Sequence, residues 1–113
     1  MFKEVTALPR EKYQTLTEQM FYILLCLEEE QCGVDIMERV AAMTDGRVAI
    51  GPGTLYSLLE SFLKEGFIRE TKVEGRRKSY QITVRGQLLL QEEARRLEEQ
   101  LHHYRTYGKE GQL

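Results

Sequence analysis

Ile50-Gly51-Pro52-Gly53-Thr54-Leu55-Tyr56-Ser57-Leu58-Leu59-Glu60-Ser61-Phe62-Leu63 reads as a Gly-Pro-Gly turn feeding a helix. Proline suits a first helical turn, where its missing N–H has no intrahelical partner to lose. Beyond the turn, Leu55, Leu58, Leu59, Phe62 and Leu63 recur at helical spacing and form one apolar face. Thr54, Tyr56, Ser57 and Ser61 lie largely away from it, on a short, uncharged, hydrogen-bonding surface of the kind a helix shows when something must approach closely.

Outward from this helix the period changes. Lys64-Glu65-Gly66 stops the helix with glycine in the C-cap region, and residues 67–73 read as a strand rich in β-branched residues. Glu74-Gly75-Arg76 makes a turn, and residues 78–83 alternate as a returning strand with Tyr80 and Ile82 on one face. Arg76, Arg77 and Lys78 put three cations at the tip of this hairpin, beside the single acid Glu74. A short-faced polar helix followed by a cationic hairpin is the layout of a winged helix-turn-helix, in which the helix enters the major groove and the wing reaches phosphates or the minor groove.

The formal net charge of −2 does not oppose that layout, because a contact patch depends on where charge lies. Between residues 64 and 86 seven basic side chains (Lys64, Arg69, Lys72, Arg76, Arg77, Lys78, Arg85) face three acids (Glu65, Glu70, Glu74), a local balance of +4 that leaves −6 on the rest of the chain.

Upstream, residues 1–8 show no periodicity and read as a loose arm. Pro9 can open a helix over residues 10–14, and Thr15 with Glu18 has the spacing of a capping box. Residues 17–30 carry a broad apolar face (Met20, Phe21, Ile23, Leu24, Leu25, Leu27) ended by Gln31-Cys32-Gly33. Val34, Ile36, Met37, Val40, Ala41 and Met43 give a further helix, closed by the turn signal Asp45-Gly46, and residues 47–50 read as a short extended piece. Downstream, residues 87–107 form one long helix in which Leu90, Ala94, Leu97, Leu101 and Tyr104 alternate steps of four and three, the seam of a coiled coil. A helix of that length spans about 30 Å, farther than so small a domain covers, so the seam is expected to pair with a second copy, with the partner's first helix contributing.

Length and composition bound the rest. At 113 residues with 42% hydrophobic content the chain encloses one small core. The division expected is residues 1–86 as a winged helix-turn-helix domain with an N-terminal helix, and 87–113 as a dimerisation helix with a short tail. No apolar run is long enough for a membrane span and the first residues lack the apolar core of a signal peptide, so no membrane association and a cytoplasmic location are expected. Cys26 and Cys32 are the only cysteines, Cys26 within an apolar helical run, and a disulfide is not expected. His102 and His103 are adjacent and point apart on a helix, so neither a metal site nor a cofactor is expected. No nucleophile–base pair is apparent, and no catalytic residue is assigned.

The motifs that carry the fold also carry a resemblance. Gly51-Pro-Gly-Thr-Leu-Tyr56-Ser-Leu-Leu, Glu65-Gly66-Phe67-Ile68, Gly75-Arg-Arg-Lys-Ser-Tyr80-Gln-Ile-Thr83 and Gly86 resemble the PadR family of bacterial transcriptional regulators. Leu16-Thr-Glu-Gln-Met-Phe-Tyr-Ile-Leu-Leu25 and Gly33-Val-Asp-Ile-Met37 resemble the helices that precede those motifs, so the likeness runs over about residues 8–106. It implies a mainly α fold with a two-stranded β-wing and a C-terminal dimerisation helix, acting as a homodimer on operator DNA, usually as a repressor; the two-fold axis of such a dimer makes the expected operator an inverted repeat in double-stranded DNA. Tyr56 corresponds to the tyrosine of the recognition helix, flanked by Thr54 and Ser57, and Arg76, Arg77 and Lys78 to the basic wing. Some members stack planar drug-like ligands on tryptophan at the dimer interface. This chain has no tryptophan, so a small-molecule effector, of unspecified identity, would have to stack on Phe or Tyr. The alternative reading is a winged-helix protein-interaction module without DNA specificity, since fold does not fix function.

Overall fold

The computed structural model describes residues 15–109, and the arm and helix expected over residues 1–14 lie outside that range. Helix α1 (Glu18–Cys26) is opened by Thr17, not Thr15: its hydroxyl accepts from the Met20 N–H at 3.1 Å. The helix is shorter than the expected 17–30 because the chain beyond it is drawn to residues 79–82: the Leu27 carbonyl accepts from the Ile82 N–H at 2.8 Å, and Gln31–Cys32 forms a strand, β1, opposite Ser79 and Tyr80. Helix α2 (Gly33–Met43) follows directly. Its exit turn uses two left-handed residues, Asp45 (φ 55°) and Gly46 (φ 77°), and is fastened by Thr44, whose hydroxyl donates to the Val40 carbonyl and accepts from the Val48 N–H. Residues 47–50 form no strand, yet Val48 and Ile50 are buried.

Helix α3 (Pro52–Glu65) begins and ends as its sequence dictates, with Gly51 as N-cap, Pro52 in the first turn and Gly66 as a left-handed C-cap (φ 78°). Leu55, Leu59 and Phe62 are buried, Leu58 is half-buried, and Leu63, expected on the same face, is exposed at its margin. Strands β2 (Ile68–Glu74) and β3 (Arg77–Ile82) make the hairpin, joined by a two-residue turn with Gly75 at φ 64°, as a type II′ turn requires. Thr71 is an extra residue between Glu70, opposite Tyr80, and Lys72, opposite Ser79, and this bulge increases the local twist.

The hairpin is the expected two-stranded wing, and a third, short strand pairs with it. The antiparallel sheet has the order β1-β3-β2, with Gln31 opposite Tyr80 and Cys32 opposite Ser79, so the hairpin is built onto the segment between α1 and α2. Tyr80 and Ile82 point inward as the alternation predicts.

Helix α4 (Val84–Tyr107) starts three residues before the expected point. Thr83 caps it, accepting from the Gly86 N–H, and also donates to the Gly66 carbonyl at 2.7 Å, which ties the end of α3 to the start of α4. Gly86 lies so close to the Phe67 carbonyl that a Cβ would overlap it and sit 2.7 Å from Ile82 Cγ1. The core gathers Ile23, Leu24 and Leu27 of the α1 region, Ile36 and Val40, the buried face of α3, Phe67, Ile68, Tyr80, Ile82, and Leu89 and Leu90 of α4. Phe62 and Phe67 meet edge-on within it, centroids 6.3 Å apart. Burial and the nearby Glu70 carboxylate push the Tyr80 phenol above its ordinary range, and burial likewise raises the Cys26 thiol, although Arg39 pulls it the other way. Among the described residues no helix is long and apolar enough to cross a membrane.

Candidate nucleic-acid interface

With Leu55, Leu59 and Phe62 held in the core, the opposite side of α3 faces solvent, and at 100° per residue it carries Gly53, Ser57, Glu60 and Lys64 in one stripe, with Thr54 and Ser61 along one flank. Gly53, Thr54, Ser57, Glu60 and Lys64 are all exposed. The stripe is therefore not uncharged, as the apolar pattern alone suggested. Projection of the sequence onto a helical wheel would have found Glu60 and Lys64, which attention to the hydroxyls alone passes over.

Tyr56 sits on the other flank, 45% exposed, with its ring against the start of α2. A Cβ on Gly33 would lie 3.0 Å from its hydroxyl and 3.1 Å from Cε1, so glycine is what lets the tyrosine settle there. The phenol is thus fixed beside the first turn of α2, which no side chain caps. Tyr56 sets the hydroxyl end of its ring against Gly33, while the residue as a whole stays 45% exposed.

The hairpin places Arg76 in the turn and Arg77 and Lys78 at the start of β3, all exposed. Cross-strand neighbours change their balance. Lys78 Nζ lies 3.7 Å from Glu70, which the pairing of β2 with β3 brings in from eight residues upstream, and within β2 itself Lys72 lies 3.9 Å from Glu74. Both pairs are solvent-exposed and worth at most about 1 kcal/mol each, too little to keep Lys78 from exchanging its partner for a phosphate. Of the seven basic residues in this region, Arg85 is spent on structure: its Nε donates to the Glu65 carbonyl at 2.8 Å and its guanidinium lies 5.5 Å over the Phe67 ring, closing the end of α3.

On α4 the five positions of the expected seam divide. Leu90 is only 5% exposed and belongs to the protomer's own core, because the helix starts early and its first turns pack beneath α1, so it is withdrawn from the seam. Ala94 is exposed, as are Leu97 (41%), Leu101 (46%) and Tyr104 (50%), which leaves an apolar stripe on the outer half of the helix. Where core gives way to stripe, Glu93 is buried and receives both Nε and Nη2 of Arg96, at 3.1 and 2.6 Å. Among the described residues no three metal-capable side chains converge, and the His102 and His103 rings are 5.9 Å apart at a 52° tilt on the exposed end of α4. A shallow recess beside the start of α1, lined by Thr17, Glu18, Gln19, Arg47, Val48 and Ala49, is crossed by the Arg47–Glu18 ion pair at 2.7 Å and offers no ring for stacking.

A family model described as the transcriptional regulator PadR-like family matches residues 23–92. No curated protein sequence matches the chain. Among solved structures, a transcriptional regulator from Clostridium thermocellum superposes with a TM-score of 0.69 at 24% identity, covering 81% of this chain and 93% of its own. A PadR-like transcription factor from Bacteroides fragilis gives 0.61 at 25% identity, covering 88% and 97%. The PcaV regulator from Streptomyces coelicolor, in complex with its natural ligand, gives 0.65 at 14% identity over 98% and 78%, a likeness of fold alone.

Proposed function

Because the chain belongs to the PadR-like family of transcriptional regulators, its model match covering more than half of the sequence, we propose that it binds operator DNA as a homodimer through α3 and the wing, as a repressor. The observation that carries the reading is the shared exposure of the outward stripe of α3 and the cations Arg76, Arg77 and Lys78. In this reading α3 lies in the major groove with Thr54 and Ser57 near base edges, Tyr56 gives its hydroxyl to a backbone phosphate, and the wing meets phosphates or the minor groove. The first turn of α2 beside Tyr56 has no side-chain cap, and a helix N-terminus of that kind favours the same phosphate. The exposed stripe Ala94, Leu97, Leu101 and Tyr104 pairs two protomers, and the two-fold axis sets the recognition helices about one DNA turn, ~34 Å, apart on an inverted repeat. The protein works in the cytoplasm, beside its operator, and any effector it senses is a small molecule taken up near that interface.

Salt titration of binding to random duplex DNA tests the reading. A DNA-binding protein loses affinity along a straight line in log salt, by ~0.9 per phosphate contact. Weak binding with no salt slope would favour a winged-helix module for protein partners instead. Sequencing the fragments the protein retains then yields the operator and its symmetry.

A further inference from the structure

The outward stripe of α3 contains an acid where a DNA-facing helix has most reason to avoid one. Gly53 and Ser57 are short, so Glu60 is the first long side chain on the stripe, in the third turn of the helix, and it is exposed. Among the described residues no cation lies within ion-pair distance of it: Lys64, one turn on, is not paired with it, Lys78 and Lys72 are held by Glu70 and Glu74, and Arg47 by Glu18. In a major groove walled by phosphates an unpaired carboxylate is repelled from both sides. What offsets that repulsion is a hydrogen bond from an amino group on a base edge.

The groove offers two such groups, and they differ. Cytosine presents its N4 amino donor, whereas adenine sets N6 beside the N7 lone pair, which opposes the second carboxylate oxygen. Guanine presents only the acceptors N7 and O6, and repels a carboxylate outright.

We propose that Glu60 is a specificity-determining residue that accepts a hydrogen bond from the N4 amino group of a cytosine, so that each operator half-site carries a C·G pair beneath the third turn of α3. The proposal rests on the operator-binding reading above. Glu60 discriminates in two ways, attracting cytosine and excluding guanine, and it lowers affinity for arbitrary sequence while doing so.

The experiment selects binding sites from a randomised duplex pool with the wild-type chain, Glu60→Ala and Glu60→Gln, after thermal melts show that the exposed substitutions leave folding unchanged. The wild type is expected to retain a half-site with one fixed cytosine, and replacing that C·G pair should weaken it roughly 10- to 100-fold. Glu60→Ala should lose the preference at that position alone and bind random duplex more tightly, since a negative charge has left the interface. Glu60→Gln should move the preference to adenine, whose N6 and N7 it can engage together. Identical half-sites with equal discrimination from all three proteins would overturn the assignment of Glu60 while leaving operator binding intact. A wild-type protein that enriches no sequence at all would overturn both.

Discussion

Gly86 has no side chain, and the packing of α4 depends on that. With the Phe67 carbonyl against its Cα and Ile82 Cγ1 within 2.7 Å of a Cβ, Gly86→Ala must push α4 off the sheet. The added methyl meets backbone, which gives less than the end of a side chain does, so the substitution should destabilise by at least about 1–3 kcal/mol despite the better helix propensity of alanine. Urea unfolding measures it, and unchanged stability would mean that the packing there relaxes freely. Tyr56 is a different case, since it is 45% exposed and lies outside the buried core. Tyr56→Phe should therefore keep the melting temperature within a degree or so while lowering DNA affinity by about 1 kcal/mol, the usual size of one hydrogen bond. Equal losses in both would make the tyrosine purely structural. At this scale the sequence was readable where one residue has one dominant preference, as with the left-handed C-cap at Gly66. Leu63 and Leu90 were misplaced because periodicity states a face and not its neighbours: the first lies at the margin of its apolar face, and the second is claimed by the core of its own protomer.

Among the elements, α3 and the hairpin were legible because proline, glycine, β-branched residues and alternation all point one way there. Strand β1 was not. Gln31 and Cys32 carry no strand signature, and they extend only because β3 lies alongside, far away in sequence, so the signal is in the pairing and not in the dipeptide. The same limit hid the Glu70–Lys78 ion pair, which exists only through the register of β2 against β3. For the wing, replacing Arg76, Arg77 and Lys78 with Ala is expected to weaken binding across all sequences and to flatten the salt dependence by ~0.9 for each phosphate left without its cation. Because the turn geometry rests on Gly75, the sheet should keep its fold, and circular dichroism should show no change. An unaltered salt slope would remove the wing from the interface.

In the whole molecule the exposed outer half of α4 is the surface on which the dimer proposal rests. Leu97→Glu with Leu101→Glu touches only exposed positions, so the protomer should stay folded but sediment as a monomer. Its affinity for an inverted repeat should fall by roughly 100-fold or more, as the second half-site is no longer reached from the same particle. Leu90→Glu should instead unfold the protomer, since Leu90 is in the core. A double variant that remains dimeric would move the interface off α4.

The unbroken run of α4 has a mechanical corollary. Its first turns are gripped by the core at Gly86, and residues 87–107 contain neither glycine nor proline, so nothing in that span lets the rod bend sharply. From Gly86 to Leu101 the lever arm is roughly 22 Å, so a tilt of about 10° between the rods of two paired protomers displaces each reading head by about 4 Å, more than one base-pair step. Such a particle acts as a caliper: operators with half-sites moved one base pair closer or farther should bind markedly worse, and a flat response to spacing would mean that the jaws are loosely hinged.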